Sequence, residues 1–311
     1  MKRRIVSLLP AATEIACALG ATADLVGISH ECDFPAAVRR LPVLTSSRVD
    51  NGASSRAIDA AVRTQVQGAL SIYTVDAPRL AGLAPDLILT QDLCQVCAVS
   101  LDDVRSAVAR LAQRDDVQIV SLRPTRLAHV LQDIETVAAA LGRVAQGREV
   151  RAELEARIAT ISARAEQATT RPRVASVEWL EPLMLGGTWM PELIALAGGE
   201  SLAANPGDPA PTVSLADFAA LAPDVVVIKP CGFDLERTLL ERDLIETSLL
   251  PRLKPSVPVY VTDGNAFFNR PGPRLVESLE ILAACIHPEL FPDFALKHQS
   301  VLLRWSPLGT S

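Results

Sequence analysis

Positive charge is not in excess in this sequence: 30 Lys and Arg stand against 36 Asp and Glu, a formal charge of −6. There is no basic field to hold a phosphate backbone, so no nucleic-acid partner is expected. Nor is there an uninterrupted apolar run of about 18 residues, the length a membrane-spanning helix needs, so no membrane insertion is expected. Catalytic signatures are missing too: no Walker loop, no Gly-x-Gly-x-x-Gly after a strand, no His-Glu-x-x-His and no Gly-x-Ser-x-Gly. No nucleophile and base pair stands out. The expectation is a binding protein, and any enzymatic activity would have to come from a bound metal or cofactor. Aromatic residues are only 4% of the chain, so where they fall carries information.

What is present is an alternation of strands and helices, the pattern of a parallel α/β sheet. Strands are predicted at "RIVSLL", "DLVGIS", "PDLILT" and "VQIVSL", then at "RVASVEW", "PDVVVIK" and "PVYVTD". Between the two sets, Leu127, Val130, Leu131, Ile134, Val137, Ala138 and Leu141 recur at spacings of three and four, one apolar face of an amphipathic helix. Gly142 and Gly147 punctuate this stretch, and a more charged helix follows to about residue 168. The segments "LAGLAPDLILTQDLC" and "FAALAPDVVVIKPCG" repeat a hydrophobic pattern, each with Ala-Pro-Asp before its strand and a cysteine just past it. A repeat of this kind implies two similar lobes, with ligands held beyond the carboxyl ends of the strands. The predicted organisation is an α/β lobe over 1–125, a helical connector over 126–170, a second α/β lobe over 171–290 and a tail over 291–311.

The start of the chain, "MKRRIVSLLPAATEIACALGATA", imitates a signal peptide, with basic residues, an apolar middle and a small-residue end. Pro10 and Glu14 interrupt the apolar part, and the segment reads equally well as a strand and the helix after it, closed by Gly20. A cytoplasmic, uncleaved chain is the expectation, with a periplasmic one as the alternative if the segment is a signal.

The stretches "RIVSLLPAATEIACALG", "LVGISHECDFP", "APDLIL" and "DGNAFFNRPGPRLVESLEIL" resemble the cobalamin-binding members of the helical-backbone (type III) substrate-binding protein family, over residues 4–287. The resemblance implies two Rossmann-like lobes joined by a long helix, with a metal chelate such as a corrinoid, haem or siderophore in the cleft between lobes. It implies no catalytic residues. It also implies an ABC importer as a partner of the exported members, whereas the start of this chain looks more like the cytosolic relatives.

Of the six cysteines, Cys17 and Cys285 lie on apolar helical faces, where a thiol behaves as a small hydrophobe. Cys32, Cys94, Cys97 and Cys231 each fall in a loop just after a predicted strand. Four thiolates meeting at the cleft would hold zinc or an iron–sulfur cluster; an iron–sulfur-dependent enzyme or redox protein on the same fold is the alternative function. Cys94-x-x-Cys97 before a helix also reads as a redox dithiol, with Ser100 and Asp103 forming a capping box. Unrelated thiols are the third reading.

His30, two residues from Cys32, is the one histidine in a cleft-directed loop. It reads as a metal ligand, as an axial ligand to a corrinoid cobalt, or as a loop histidine bonded to nearby backbone. Trp179, Trp189, Phe267 and Phe268 sit at strand ends of the second lobe. They either line a cleft for a flat macrocycle, with Asn265, Asn269 and Arg270 giving polar contacts, or pack that lobe.

Overall fold

The computed structural model describes residues 3–67, 73–91 and 117–306. The chain divides into two compact units. The first comprises Met1–Ala53, Ala57–Pro124 and Ala128–Glu153; the second comprises Ser54–Arg56, Thr125–Leu127 and Leu154–Ser311.

The first unit is built on β1 (Ile5–Ser7), β2 (Leu25–Ile28), β5 (Leu87–Gln91) and β6 (Gln118–Leu122), in the order β2-β1-β5-β6. All its pairings are parallel. A separate antiparallel pair, β3 (Thr45–Ser47) with β4 (Tyr73–Val75), lies in the same unit. Residues of β1 and β5 are buried without alternation, as expected of a parallel sheet with both faces covered. Ile5 of β1 is flanked by Leu25 and Leu87, and the helix Pro10–Ala18 follows directly, with Pro at its start where the missing N–H costs nothing. The segment that imitates a signal peptide is therefore a central strand and its helix.

The second unit repeats the plan with β7 (Arg173–Trp179), β8 (Met184–Leu185), β9 (Glu200–Ser201), β10 (Val225–Ile228), β11 (Val259–Thr262) and β12 (Leu302–Arg304). The order is β12-β11-β10-β7-β8, with β9 pairing β7. β7, β10 and β11 are parallel, and β12, drawn from the expected tail, closes the edge antiparallel to β11. Val226, Val227 and Ile228 are fully buried, and Val226 and Ile228 belong to a core that includes Val177, Phe218, Ile245 and Val261.

The internal repeat survives as geometry. The helices Ala77–Leu83 and Leu215–Leu221 are each capped by a side chain at the start, Asp76 accepting from Arg79 N and Ser214 from Asp217 N. Each ends on an alanine in the left-handed region, Ala84 at φ 42° and Ala222 at φ 43°. The aspartate two residues later then accepts a backbone N–H at the start of a neighbouring strand, Asp86 from Arg4 just before β1 and Asp224 from Arg173 of β7, both at 2.9 Å.

Between the two sets of strands in sequence come the helices Leu127–Leu141 and Val144–Ala165. Gly142, at φ +69°, closes the first of them, as its position past the periodic stretch predicts. Gly147 serves differently: it lies inside the second helix, where a Cβ would come within 2.4 Å of Cβ of Ala138, so its missing side chain lets the two helices touch. The second helix has 22 residues, about 33 Å at 1.5 Å per residue, and it begins in one unit and ends in the other. It is the long helical connector of a two-lobed α/β protein.

Candidate functional site

Parallel α/β sheets gather their functional groups beyond the carboxyl ends of the strands. In the first unit that edge carries Ser29, His30, Glu31 and Cys32, which follow β2. The His30 ring is half-buried. Its Nδ1 lies 2.7 Å from Oγ1 of Thr45, and its backbone N donates to the same oxygen at 3.0 Å. Tyr73 stacks at a tilt against the ring, 5.2 Å between centroids, and donates its hydroxyl to Glu31 Oε1 at 2.9 Å. Burial pushes the His30 pKa down, against a smaller opposing pull from the Glu31 carboxylate. The imidazole is thereby kept neutral. Its Nε2, 3.9 Å from Glu31 Oε1, makes no hydrogen bond among the described residues.

The second edge is formed by the loops after β7, β10 and β11. Lys229, directly after β10, is completely buried and donates to Glu178 Oε2 on β7 at 2.9 Å. Asn269, after β11, accepts from Lys229 Nζ at 3.4 Å and donates to the carbonyls of Lys229 and Gly264, at 3.3 and 2.8 Å. Asp263 receives the backbone N–H groups of Asn265 and Ala266; burial raises its pKa, and those two bonds only partly offset the rise. Gly264 is required where it stands, since a Cβ there would sit 2.2 Å from the carbonyl oxygen of Pro230.

Of the two readings of the second-lobe aromatics, packing holds for Trp189 and Phe268. Trp189 and Phe268 are buried: the indole N–H of Trp189 donates to the carbonyl of Phe268 at 2.8 Å, and the Phe268 ring is wholly enclosed. They pack the second unit, because their position inside the β11 loop and at the start of a buried helix points them inward. Arg270 is also buried and donates to Asn265 Oδ1 at 3.0 Å, and the Asn269 amide is engaged by the backbone around it. Trp179 and Phe267 remain half-buried. Trp179 shares its N–H between the carbonyls of Glu181 and Ser55 and lies 5.1 Å from the Phe233 ring; Phe267 stands edge-on to His298 at 6.1 Å.

The four-cysteine metal centre has no support. Among the described residues no group of three or more His, Cys, Asp or Glu side chains could hold a metal ion. Cys94, Cys97 and the capping box at Ser100 lie outside the described residues. The Cys32 thiol is buried between hydroxyls, 3.0 Å from Thr13 Oγ1 and 3.3 Å from Ser29 Oγ, where a thiolate would be a costly buried charge. Cys231 is half-buried, its backbone N–H tied to the carbonyl of Glu178. Neither zinc nor an iron–sulfur cluster is indicated by this arrangement. Cys285 is core, its thiol pKa raised by burial, and Cys17 is half-buried with its pKa raised the same way.

Sequence reasoning missed Lys229, Glu178, Thr45 and Tyr73. Lys229 had a legible signal: in "VVVIK" it ends an apolar run whose strand is enclosed on both faces. Thr45 and Tyr73 had none, being brought to His30 by a short strand pair without strong periodicity.

A family model described as periplasmic binding protein matches residues 5–254. The vitamin B12-binding protein of Photorhabdus laumondii is 27% identical over 282 residues, spanning 90% of this chain and 86% of that protein. Among solved structures, a periplasmic heme binding protein from Pseudomonas aeruginosa matches 99% of both chains with a TM-score of 0.71 at 19% identity. The periplasmic vitamin B12 binding protein of Vibrio cholerae matches 92% of this chain and 97% of its own with a TM-score of 0.62 at 18% identity. These two likenesses show the shared fold.

Proposed function

Because the chain belongs to the periplasmic binding protein family, we propose that it is a binding protein for a metal chelate, with cobalamin or a related corrinoid as its ligand. The observation that carries this reading is the relationship to the vitamin B12-binding protein of Photorhabdus laumondii, which runs along nearly the whole of both chains. The geometry agrees with a binding role. Rigid, mutually bonded polar groups line the carboxyl edge of each sheet, and half-buried rings, Trp179 and Phe267, stand at the second, where a flat macrocycle finds apolar contact. Titration calorimetry with cyanocobalamin and cobinamide tests the reading: binding of either supports a corrinoid site, and no heat with both removes it.

Haem is the second reading, favoured by His30. In the tautomer whose Nδ1–H points at Thr45, the unbonded Nε2, buried in this structure, is the nitrogen left to ligate iron or cobalt once a side-chain shift uncovers it. Titration with haemin separates the two.

A cytoplasmic location belongs to the same proposal, with a periplasmic one as the alternative. An ABC importer is the partner class to test beside it, by co-purification.

A further inference from the structure

A fully buried lysine is unusual, since the ammonium loses its hydration and keeps only the partners the fold supplies. Lys229 has 0% exposure. Its Nζ reaches Glu178 at 2.9 Å on one neighbouring strand and Asn269 at 3.4 Å in the loop after the other. It also stands 5.9 Å from the centre of the Phe268 ring. One ammonium thus joins the carboxyl ends of three parallel strands, β7, β10 and β11. Replacing a buried ion pair by apolar groups is often neutral for stability, so stability alone does not account for it.

The loop it reaches needs holding. Phe268 adopts φ +64°, a left-handed conformation that a bulky side chain rarely takes without support. Phe268 N donates to Ser278 Oγ at 2.9 Å, Phe268 O accepts from Trp189, and the amide of Asn269 bridges Gly264 O and Lys229 O. These bonds fix residues 263–270, and with them the half-buried Asn265 and Phe267.

We infer that Lys229, through Glu178 and Asn269, is a positioning residue that presets the 263–270 loop for ligand before any ligand arrives. Lys229 does not itself touch the ligand, being enclosed. The inference rests on the reading of the second carboxyl edge as ligand-binding. Preorganisation of this kind raises affinity by removing the ordering cost at the moment of binding.

The test compares the full chain with the double variant Lys229→Met/Glu178→Gln, which removes both charges, and with Asn269→Ala, which leaves the buried pair intact and cuts its link to the loop. Amide hydrogen exchange is read without ligand, and cyanocobalamin affinity by titration. The expected result is exchange at least tenfold faster at Asn265, Ala266, Phe268 and Asn269 in both variants, unchanged exchange in β7 and β10 of Asn269→Ala, and cyanocobalamin affinity at least tenfold weaker. If loop exchange in Asn269→Ala equals that of the unaltered protein, the inference is overturned, whether or not the double variant folds. Faster loop exchange in a protein that does not bind cyanocobalamin at all upholds the positioning role and refutes the corrinoid reading alone.

Discussion

Nδ1 of His30 lies 2.7 Å from Oγ1 of Thr45, and the same hydroxyl receives the His30 backbone N–H. In the tautomer whose Nδ1–H points at Thr45, the buried Nε2 is the free base of a neutral imidazole, and a ligand that uncovers it can be bound there. Mixing the protein with aquacobalamin should then shift the corrinoid absorption bands as imidazole replaces water on cobalt, and His30→Gln should abolish the shift. An equal shift in the variant would show that His30 is no ligand.

The same residue shapes stability against pH. Its folded pKa is below its ordinary value near 6.5, so the unfolded chain takes up the proton first as pH falls. Stability is therefore present in full above about 6.5 and declines below it. Denaturant titrations at pH 7.5 and 5.5 should show a smaller loss in His30→Gln than in the unaltered protein.

Asp133 acts in the opposite sense. Burial raises its pKa to about 7, and its Oδ2 has no hydrogen-bond partner among the described residues. The folded state holds this proton longer than the unfolded one, so stability falls as pH rises from about 4 towards 7. Asp133→Asn should raise the melting temperature at pH 8 and leave it nearly unchanged at pH 4; a variant less stable at pH 8 would refute the assignment.

Glu280, 4% exposed, receives His298 and Lys297 at 2.7 Å and Arg157 at 2.9 Å. Those partners, outweighing its burial, hold its pKa down to about 2. Its contribution is present above its ordinary pKa of 4.5 and is lost as pH falls from there to about 2. Glu280→Ala should cost about 3 kcal/mol by urea unfolding at pH 7, because three donors lose a shared carboxylate. A change below about 0.5 kcal/mol would place the cluster among surface pairs of little worth.

Gly264→Ala tests the crossing of two loops at the second edge. The new Cβ would meet the Pro230 and Lys229 carbonyls at 2.2 and 2.6 Å, backbone that cannot swing aside. A loss of about 2–3 kcal/mol is expected by thermal or urea unfolding, and a neutral effect would mean that the loops do not cross as described.

The seven strands with clear apolar patterning were legible in the sequence because they pair with one another in parallel and most are enclosed, so "RVASVEW" and "DVVVIK" carry their burial in their composition. The strands β3, β8, β9 and β12 are two or three residues long and offer no period to read. The repeat was visible as Ala-Pro-Asp, although its reason, a left-handed alanine followed by an aspartate that clasps the neighbouring strand, needed coordinates. The site was harder. Loops after strands were correctly placed at the carboxyl edges, yet the direction of a side chain within a loop depends on local turns. Trp189, Phe268 and Arg270 turn inward, and the Cys32 thiol lies within reach of the Thr13 and Ser29 hydroxyls.

The central claim is that this family member holds a corrinoid. Equilibrium dialysis of the purified chain against cyanocobalamin, with haemin as competitor, tests it most directly. The account predicts cyanocobalamin retained in equimolar amount with the protein and displaced by unlabelled cobalamin. Retention of haemin with no retention of cyanocobalamin would contradict it.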